Sequence, residues 1–321
     1  MKTLKDTIHK LTLPTPYAVG DVHTYLLAGE ALTLVDAGVK TDEAWEALQT
    51  QLKQLGYSPK DIEQVILTHH HPDHMGLIEY LSRVQNVAAH PKVRPWLERE
   101  EAFFVRYEEF FEEMYVESGV PSQYFSFLKG LRKPLELSSK GILTQELYEG
   151  ERLPGHEDWK VIETPGHAQS HLSFVREADG ALLGGDHVLG HISSNPLLEP
   201  SYIEGEERPR PLLQYRESME KIADYHVNTV YPGHGKSFDK VMDLIHRRLR
   251  KQVERAHAVL EMIQAKPLCA YEVCAQLFPK QIDSQFGLTM SETLGQLDYL
   301  EQQQLVQTAI QGRQKIYYVN R

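Results

Sequence analysis

Gln64-Val65-Ile66-Leu67-Thr68 runs without a break into His69-His70-His71-Pro72-Asp73-His74. The first five residues read as a buried strand, so the histidines sit at a strand end. His69 and His71 lie two apart, and extended backbone points both imidazoles to one side while His70 points to the other. His70 is therefore left out of the ligand set. Pro72 breaks the extension and lets Asp73 and His74 begin a helix that turns toward an adjacent position. Four ligand-type residues within six positions at a strand end point to a metal site.

Three further loops each place a ligand-type side chain after an expected strand. They are Thr164-Pro165-Gly166-His167, Gly184-Gly185-Asp186-His187 and Tyr231-Pro232-Gly233-His234-Gly235. Their glycines let the backbone turn sharply and leave space around an ion. The tally is five histidines and two aspartates, too many for one tetrahedral zinc and suited to two ions sharing a carboxylate.

The rest of the chain supplies the frame. Residues 23–28 and 31–36 read as a hairpin, 41–55 as an amphipathic helix with acids in its first turn, and 58–61 as a short helical turn. Strands are expected at 160–164, 171–176, 181–185 and 229–231, with a helix at 213–225. Strand pairs separated by helices, in two halves, predict a layered α/β sandwich. Between residues 93 and 119, seven aromatics among many glutamates recur at helical spacing, giving a face that packs on the core or lines a substrate pocket. After Gly235 come a long helix at 243–265, helices at 271–277 and 289–303, and strands at 306–310 and 315–319. That order resembles a winged-helix module.

Charge and composition exclude several function classes. The 321 residues carry 34 basic and 45 acidic side chains, a net charge of −11, and 41% are hydrophobic. This is a globular chain with enough apolar surface for a core, and not a disordered or fibrous one. No run approaches a membrane span, and the polar start offers no signal core, so the protein is expected to be soluble and cytoplasmic. Cys269 and Cys274, early in the last module, read as reduced packed thiols on a helix. Nucleic acid is disfavoured by the acidic balance, and residues 267–321 hold four basic side chains against five acids. A structural or dimerising role for that module, including a homodimer, is the expectation.

With these residues in view, the sequence resembles the metallo-β-lactamase-fold hydrolases, on HxHxDH at His69, His71, Asp73 and His74 followed in order by His167, Asp186 and His234. The resemblance covers roughly residues 15–240 and is nearest a glyoxalase II-like branch with a C-terminal winged module. It implies a four-layer αββα sandwich at 1–240, with a helical aromatic insert at about 93–150, and a small α+β module at 241–321. It also implies that His69, His71 and His167 hold one metal and Asp73, His74 and His234 another, with Asp186 bridging. The ions would be two divalent metals, zinc first and iron or manganese as the alternatives; no organic cofactor site is expected. Asp36, in Leu34-Val35-Asp36-Ala37-Gly38, would support a ligand from behind or be a simple turn acid. A metal-bridging hydroxide, oriented by Asp73 and Asp186 as the catalytic residues, would then attack a small thioester, ester or lactone. His171 and His191 are candidate site-lining donors. Endoribonuclease or phosphodiesterase chemistry, and a non-catalytic metal-stabilised binding protein, are the competing readings.

Overall fold

The computed structural model describes residues 7–320. The first half builds a six-stranded sheet in sequence order from β1 (Thr7–Leu13), β2 (Val22–Ala28), β3 (Leu32–Val35), β4 (Gln64–Ile66), β5 (Asn86–Ala89) and β6 (Gln145–Glu146). β1 to β3 form an antiparallel meander; β3 to β6 run parallel and need crossovers. The first crossover holds α1 (Asp42–Gln54), whose N-terminus is capped by the Thr41 side chain accepting the Ala44 amide, with Asp42 and Glu43 in the first turn. α2 (Pro72–Met75) is one turn long, with Pro72 at its first position.

The aromatic stretch forms two helices, α3 (Arg94–Glu98) and α4 (Glu101–Glu117), where periodicity suggested one face. Arg99 separates them in a left-handed conformation (φ 61°), and its guanidinium satisfies the carbonyls of Trp96, Leu135, Ser138 and Ser139. Two 3-10 segments, Ser122–Gly130 and Lys133–Leu137, bring the chain back toward the sheet.

A second sheet of five strands comprises β7 (Arg152–Leu153), β8 (His156–Glu163), β9 (Leu172–Arg176), β10 (Ala181–Gly185) and, beyond α5 (Pro211–Ala223), β11 (Thr229–Pro232). The two sheets pack face to face. Strand alternation sorts their side chains into layers: Tyr25, Leu27, Ile66, Val161, Phe174 and Leu183 meet between the sheets. On β2 and β4 the alternate residues Leu26 and Val65 pack outward with Leu48 and Leu52 of α1. On β8, β9 and β10 the alternates Ile162, Val175 and Leu182 pack with Tyr215, Met219 and Ile222 of α5. Helix, sheet, sheet, helix is therefore the order of layers.

The chain ends with α6 (Val241–Ala265), β12 (Leu268–Cys269), α7 (Ala270–Leu277), α8 (Phe286–Gln302) and the hairpin β13 (Val306–Gln311) and β14 (Gln314–Val319). Val241, Leu244 and Ile245 at the start of α6 join the outer layer of the second sheet. Its later residues Ala256, Val259 and Ile263 share a core with Val273, Phe286 and Leu297, and with Phe111, Met114 and Tyr115 of α4. The aromatic insert and the C-terminal helices are thus packed on each other. Both cysteines are buried and free. Among the described residues no helix is long and apolar enough to cross a membrane.

Candidate metal centre

Strand direction assembles the site. β10 and β11 are parallel, and β8 and β10 both pair antiparallel with β9, so these three strands end on one edge. Past those ends come His167, Asp186 and His234. β4 of the facing sheet ends just before His69. Seven side chains from four loops converge there, in three groups whose ligand atoms lie within 4.8 Å of one another: His69, His71 and His167; His69, His74 and Asp186; Asp73, His74 and His234.

Hydrogen bonding behind the histidines fixes which nitrogen faces inward. Thr68 gives its hydroxyl proton to Asp36 Oδ2 at 2.8 Å, so it accepts from His69 Nδ1 at 2.9 Å. His74 Nδ1 donates to Asp36 Oδ2 at 2.8 Å, His167 Nδ1 to the Asn195 carbonyl at 2.9 Å and His234 Nδ1 to the Asp21 carbonyl at 2.8 Å. Each of these four rings therefore turns Nε2 to the centre, the arrangement by which outer partners orient metal-binding imidazoles. His71 is reversed: its Nδ1 lies 2.9 Å from His69 Nε2 and 3.0 Å from His167 Nε2.

Asp186 stands between the groups. Its Oδ1 is 3.4 Å from His74 Nε2, and its Oδ2 is 3.4 Å from His234 Nε2 and 3.7 Å from His167 Nε2. Asp73 Oδ2 is 3.3 Å from His234 Nε2. Two ligands about 2.1 Å from one tetrahedral ion stand about 3.4 Å apart, so the spacing suits a shared cation. Three of the inward atoms, His74 Nε2, His234 Nε2 and Asp186 Oδ1, are buried without a hydrogen-bond partner. Orphaned buried polar atoms are costly, and a cation would satisfy all three. The backbone makes room for them: a Cβ on Gly233 would stand 2.2 Å from Asp186 Oδ1 and 2.9 Å from His74 Cε1.

Electrostatics separates the imidazoles into two kinds. Burial, reinforced by neighbouring rings, pushes His69 and His71 well below the usual imidazole range, and burial also lowers His167. These three present neutral lone pairs, as ligands must. Burial acts the same way on His74 and His234, but Asp186 and its neighbouring carboxylates outweigh it, raising His74 well above its ordinary value and His234 to about 10. Burial opposes charge on Asp186 too, yet His234 and His74 hold its pKa well below the usual carboxylate range. A cation entering here displaces protons from His74 and His234.

His70, left out of the ligand set on strand parity, bonds Ser170 Oγ through Nδ1 at 2.8 Å and stacks on Trp96 at 4.2 Å. Asp36 resolves as a supporting residue, buried and accepting from both His74 and Thr68. The two candidate lining donors lie elsewhere. His171 is buried behind the centre, where Nε2 accepts the Asp186 amide at 3.1 Å and Nδ1 bonds Thr164 Oγ1 at 2.8 Å. Its ring lies against the left-handed turn at Gly185 and holds the backbone of Asp186 in place. His191 is exposed, outside all three ligand groups, and lies against Gly235.

Trp96 and Tyr107, from the aromatic stretch expected to pack on the core or line a pocket, bound an adjoining cavity, whereas sequence reading missed Glu199 on its wall. This space, about 170 Å³, is bounded by His70, His71, Trp96, Leu135, Leu198 and Glu199, among others. Glu199 Oε1 accepts the Gln169 amide at 2.8 Å and Oε2 accepts the Tyr202 hydroxyl at 2.6 Å, while Trp96 Nε1 donates to that hydroxyl at 2.7 Å. A single acid flanked by Leu197-Leu198 and Pro200 was the available signal.

Comparison with known proteins accords with this geometry. The sequence profile described as the metallo-beta-lactamase superfamily matches residues 17–234, more than half of the chain. The chain belongs to the metallo-beta-lactamase superfamily. It is 41% identical over 310 residues to the probable metallo-hydrolase YqjP of Bacillus subtilis, covering 97% of each. The crystal structure of a metallo-beta-lactamase family protein from Thermus thermophilus superposes with a TM-score of 0.81 at 28% identity, covering 98% of both chains. A more distant relative is the atrochrysone carboxyl ACP thioesterase of Aspergillus fumigatus, 24% identical over 243 residues, 75% of this chain and 59% of that one. The protein is a metallo-hydrolase of this superfamily, with a His/Asp cluster fitted to metal.

Proposed function

We propose that this hydrolase cleaves a small thioester, ester or lactone at a dinuclear metal centre. His69, His71 and His167 would hold one ion, Asp73, His74 and His234 the other, and Asp186 would reach both. Five imidazoles and two carboxylates suit zinc first, with iron and manganese as alternatives. When bound, two such ions supply an acidified water as nucleophile and polarise a carbonyl oxygen.

The chain's own residues do the remaining work. Asp36, Thr68 and the Asn195 and Asp21 carbonyls hold four imidazoles with Nδ1 outward and Nε2 inward, so no ring need change its orientation on binding, and only the Nε2 protons of His74 and His234 have to leave. His171 fixes the Asp186 backbone, and the carboxylates of Asp186 and Asp73 would orient a water at the centre. Trp96, Leu135, Leu197 and Leu198 exclude solvent from the space beside His71.

The observation that carries the substrate class is that cavity: small, largely apolar, and bounded by His71. An acyl group fits such walls, whereas a phosphodiester backbone would bring charge into them beside Glu199. The thioesterase named among the relatives supports the same class. A parallel screen of acyl thioesters, lactones, aryl esters and single-stranded RNA, with wild type and Asp186→Ala, tests it. Hydrolysis of a carbonyl substrate by wild type alone is expected. RNA cleavage lost in the variant, with no carbonyl substrate turned over, would reverse the reading.

A further inference from the structure

We propose that a cationic groove beside the metal centre binds the phosphate groups of a thiol carrier that delivers the acyl group; the carrier assignment rests on the thioester reading above. Two cavities of about 520 and 210 Å³ share Gly190, His191, Leu244 and Arg247 and so form one groove. Its outer wall is α6. Its inner wall is the segment from Gly190 to Ser193 together with Gly235.

That inner wall is the back of the metal centre. Gly235 directly follows His234, and the segment continues into Ser194 and Asn195, which bond His167 Nδ1. Arg248 keeps it rigid by donating to the carbonyls of Leu189 and Ile192. A ligand in the groove therefore lies one chain thickness from two proposed metal ligands.

The groove's charge opposes that of the whole chain. Lys236, Lys240, Arg247 and Lys251 are all exposed on it, and among the described residues none of the four forms an ion pair. Arg255 is paired with Glu292, and only Asp239 and Asp243 bring further negative charge. Four unpaired cations against two carboxylates, on a protein of net charge −11, make a local attractor for phosphate. Arg247 and Lys251 lie one helical turn apart on α6, about 6 Å, and can engage neighbouring phosphates. A single-stranded nucleic acid would need successive aromatic platforms, and Phe238 is the one aromatic residue on these walls besides His191. A small phosphorylated thiol fits better.

Calorimetric titration of the full chain with coenzyme A, and with phosphate-free pantetheine, tests the groove without relying on turnover. Wild type should bind coenzyme A at least about tenfold more tightly than the Arg247→Glu/Lys251→Glu variant, with circular dichroism confirming the variant's fold. Raising salt to about 0.5 M should erase most of that difference, and pantetheine should not distinguish the two proteins. Equal affinity for coenzyme A in both, or no binding by either, would overturn the proposal. Tighter binding of a single-stranded RNA to wild type, lost in the variant, would overturn it in favour of nucleic acid. The two readings fail separately. Acyl-coenzyme A hydrolysis at equal kcat/KM in both proteins would sink the groove alone. Coenzyme A binding as expected, with no carbonyl substrate hydrolysed, would sink the carrier role and leave a phosphate site.

Discussion

His74 donates its Nδ1 proton to Asp36 across 2.8 Å, and both side chains are sealed from solvent. The same carboxylate takes the Thr68 amide and hydroxyl, so one buried acid sets the orientation of His74 directly and of His69 through Thr68. Asp36→Asn would place an amide where two donors converge. The expected result is metal affinity weaker by about 10- to 100-fold, read by titration against a chromophoric chelator. Unchanged affinity would show that Asp36 is a turn residue only.

Gly185 occupies a left-handed position (φ 47°), and a Cβ there would stand 2.6 Å from His171 Nε2 and 3.0 Å from Thr68 Cβ. Gly185→Ala therefore strikes the imidazole that holds the Asp186 amide. We expect metal content and turnover to fall together, with a stability loss of about 1–3 kcal/mol and an intact far-UV spectrum. Full metal content at normal activity would mean that His171 does not position Asp186.

The His/Asp cluster that the fold brings together was legible because its spacing is local: HxHxDH at a strand end, then one ligand-type residue after each of three later strands. The layers were legible from strand alternation at Leu26 and Leu27 or Phe174 and Val175. What escaped depends on contacts distant in sequence. β5 and β6 are short runs whose pairing is set by the parallel crossovers, and the break at Arg99 is stabilised by carbonyls some 40 residues away. Asp36 could not be assigned because its partners Thr68 and His74 lie more than 30 residues on. Glu199, reached by Trp96 only through Tyr202, carried no periodic signal at all.

Burial pushes the Glu199 carboxyl up to about 7, against the lowering effect of its Tyr202 and Gln169 hydrogen bonds and of Lys92. The folded protein then keeps a proton that the unfolded chain releases near 4.5. Its contribution to stability is complete below about 4.5 and is lost as pH rises through about 7, amounting to on the order of 3 kcal/mol. Glu199→Gln, neutral throughout, should flatten the unfolding free energy over that window. Parallel pH profiles of wild type and variant would contradict the assignment.

Trp96 stacks on His70, meets Phe103, Phe104 and Tyr107 edge-on, and donates to Tyr202. Trp96→Ala should cost about 3–5 kcal/mol in urea unfolding and raise KM for the preferred substrate more than it lowers kcat. A loss below about 1 kcal/mol with unchanged KM would remove this ring from both the core and the cavity wall.

The central claim is that seven side chains form one two-ion centre. Elemental analysis of protein purified without chelator measures it directly, with His71→Ala and Asp186→Ala alongside. The account predicts close to two transition-metal ions per wild-type chain and a clear shortfall in both variants, with secondary structure retained. A reproducible value of one or none in wild type, or two in Asp186→Ala, would contradict it.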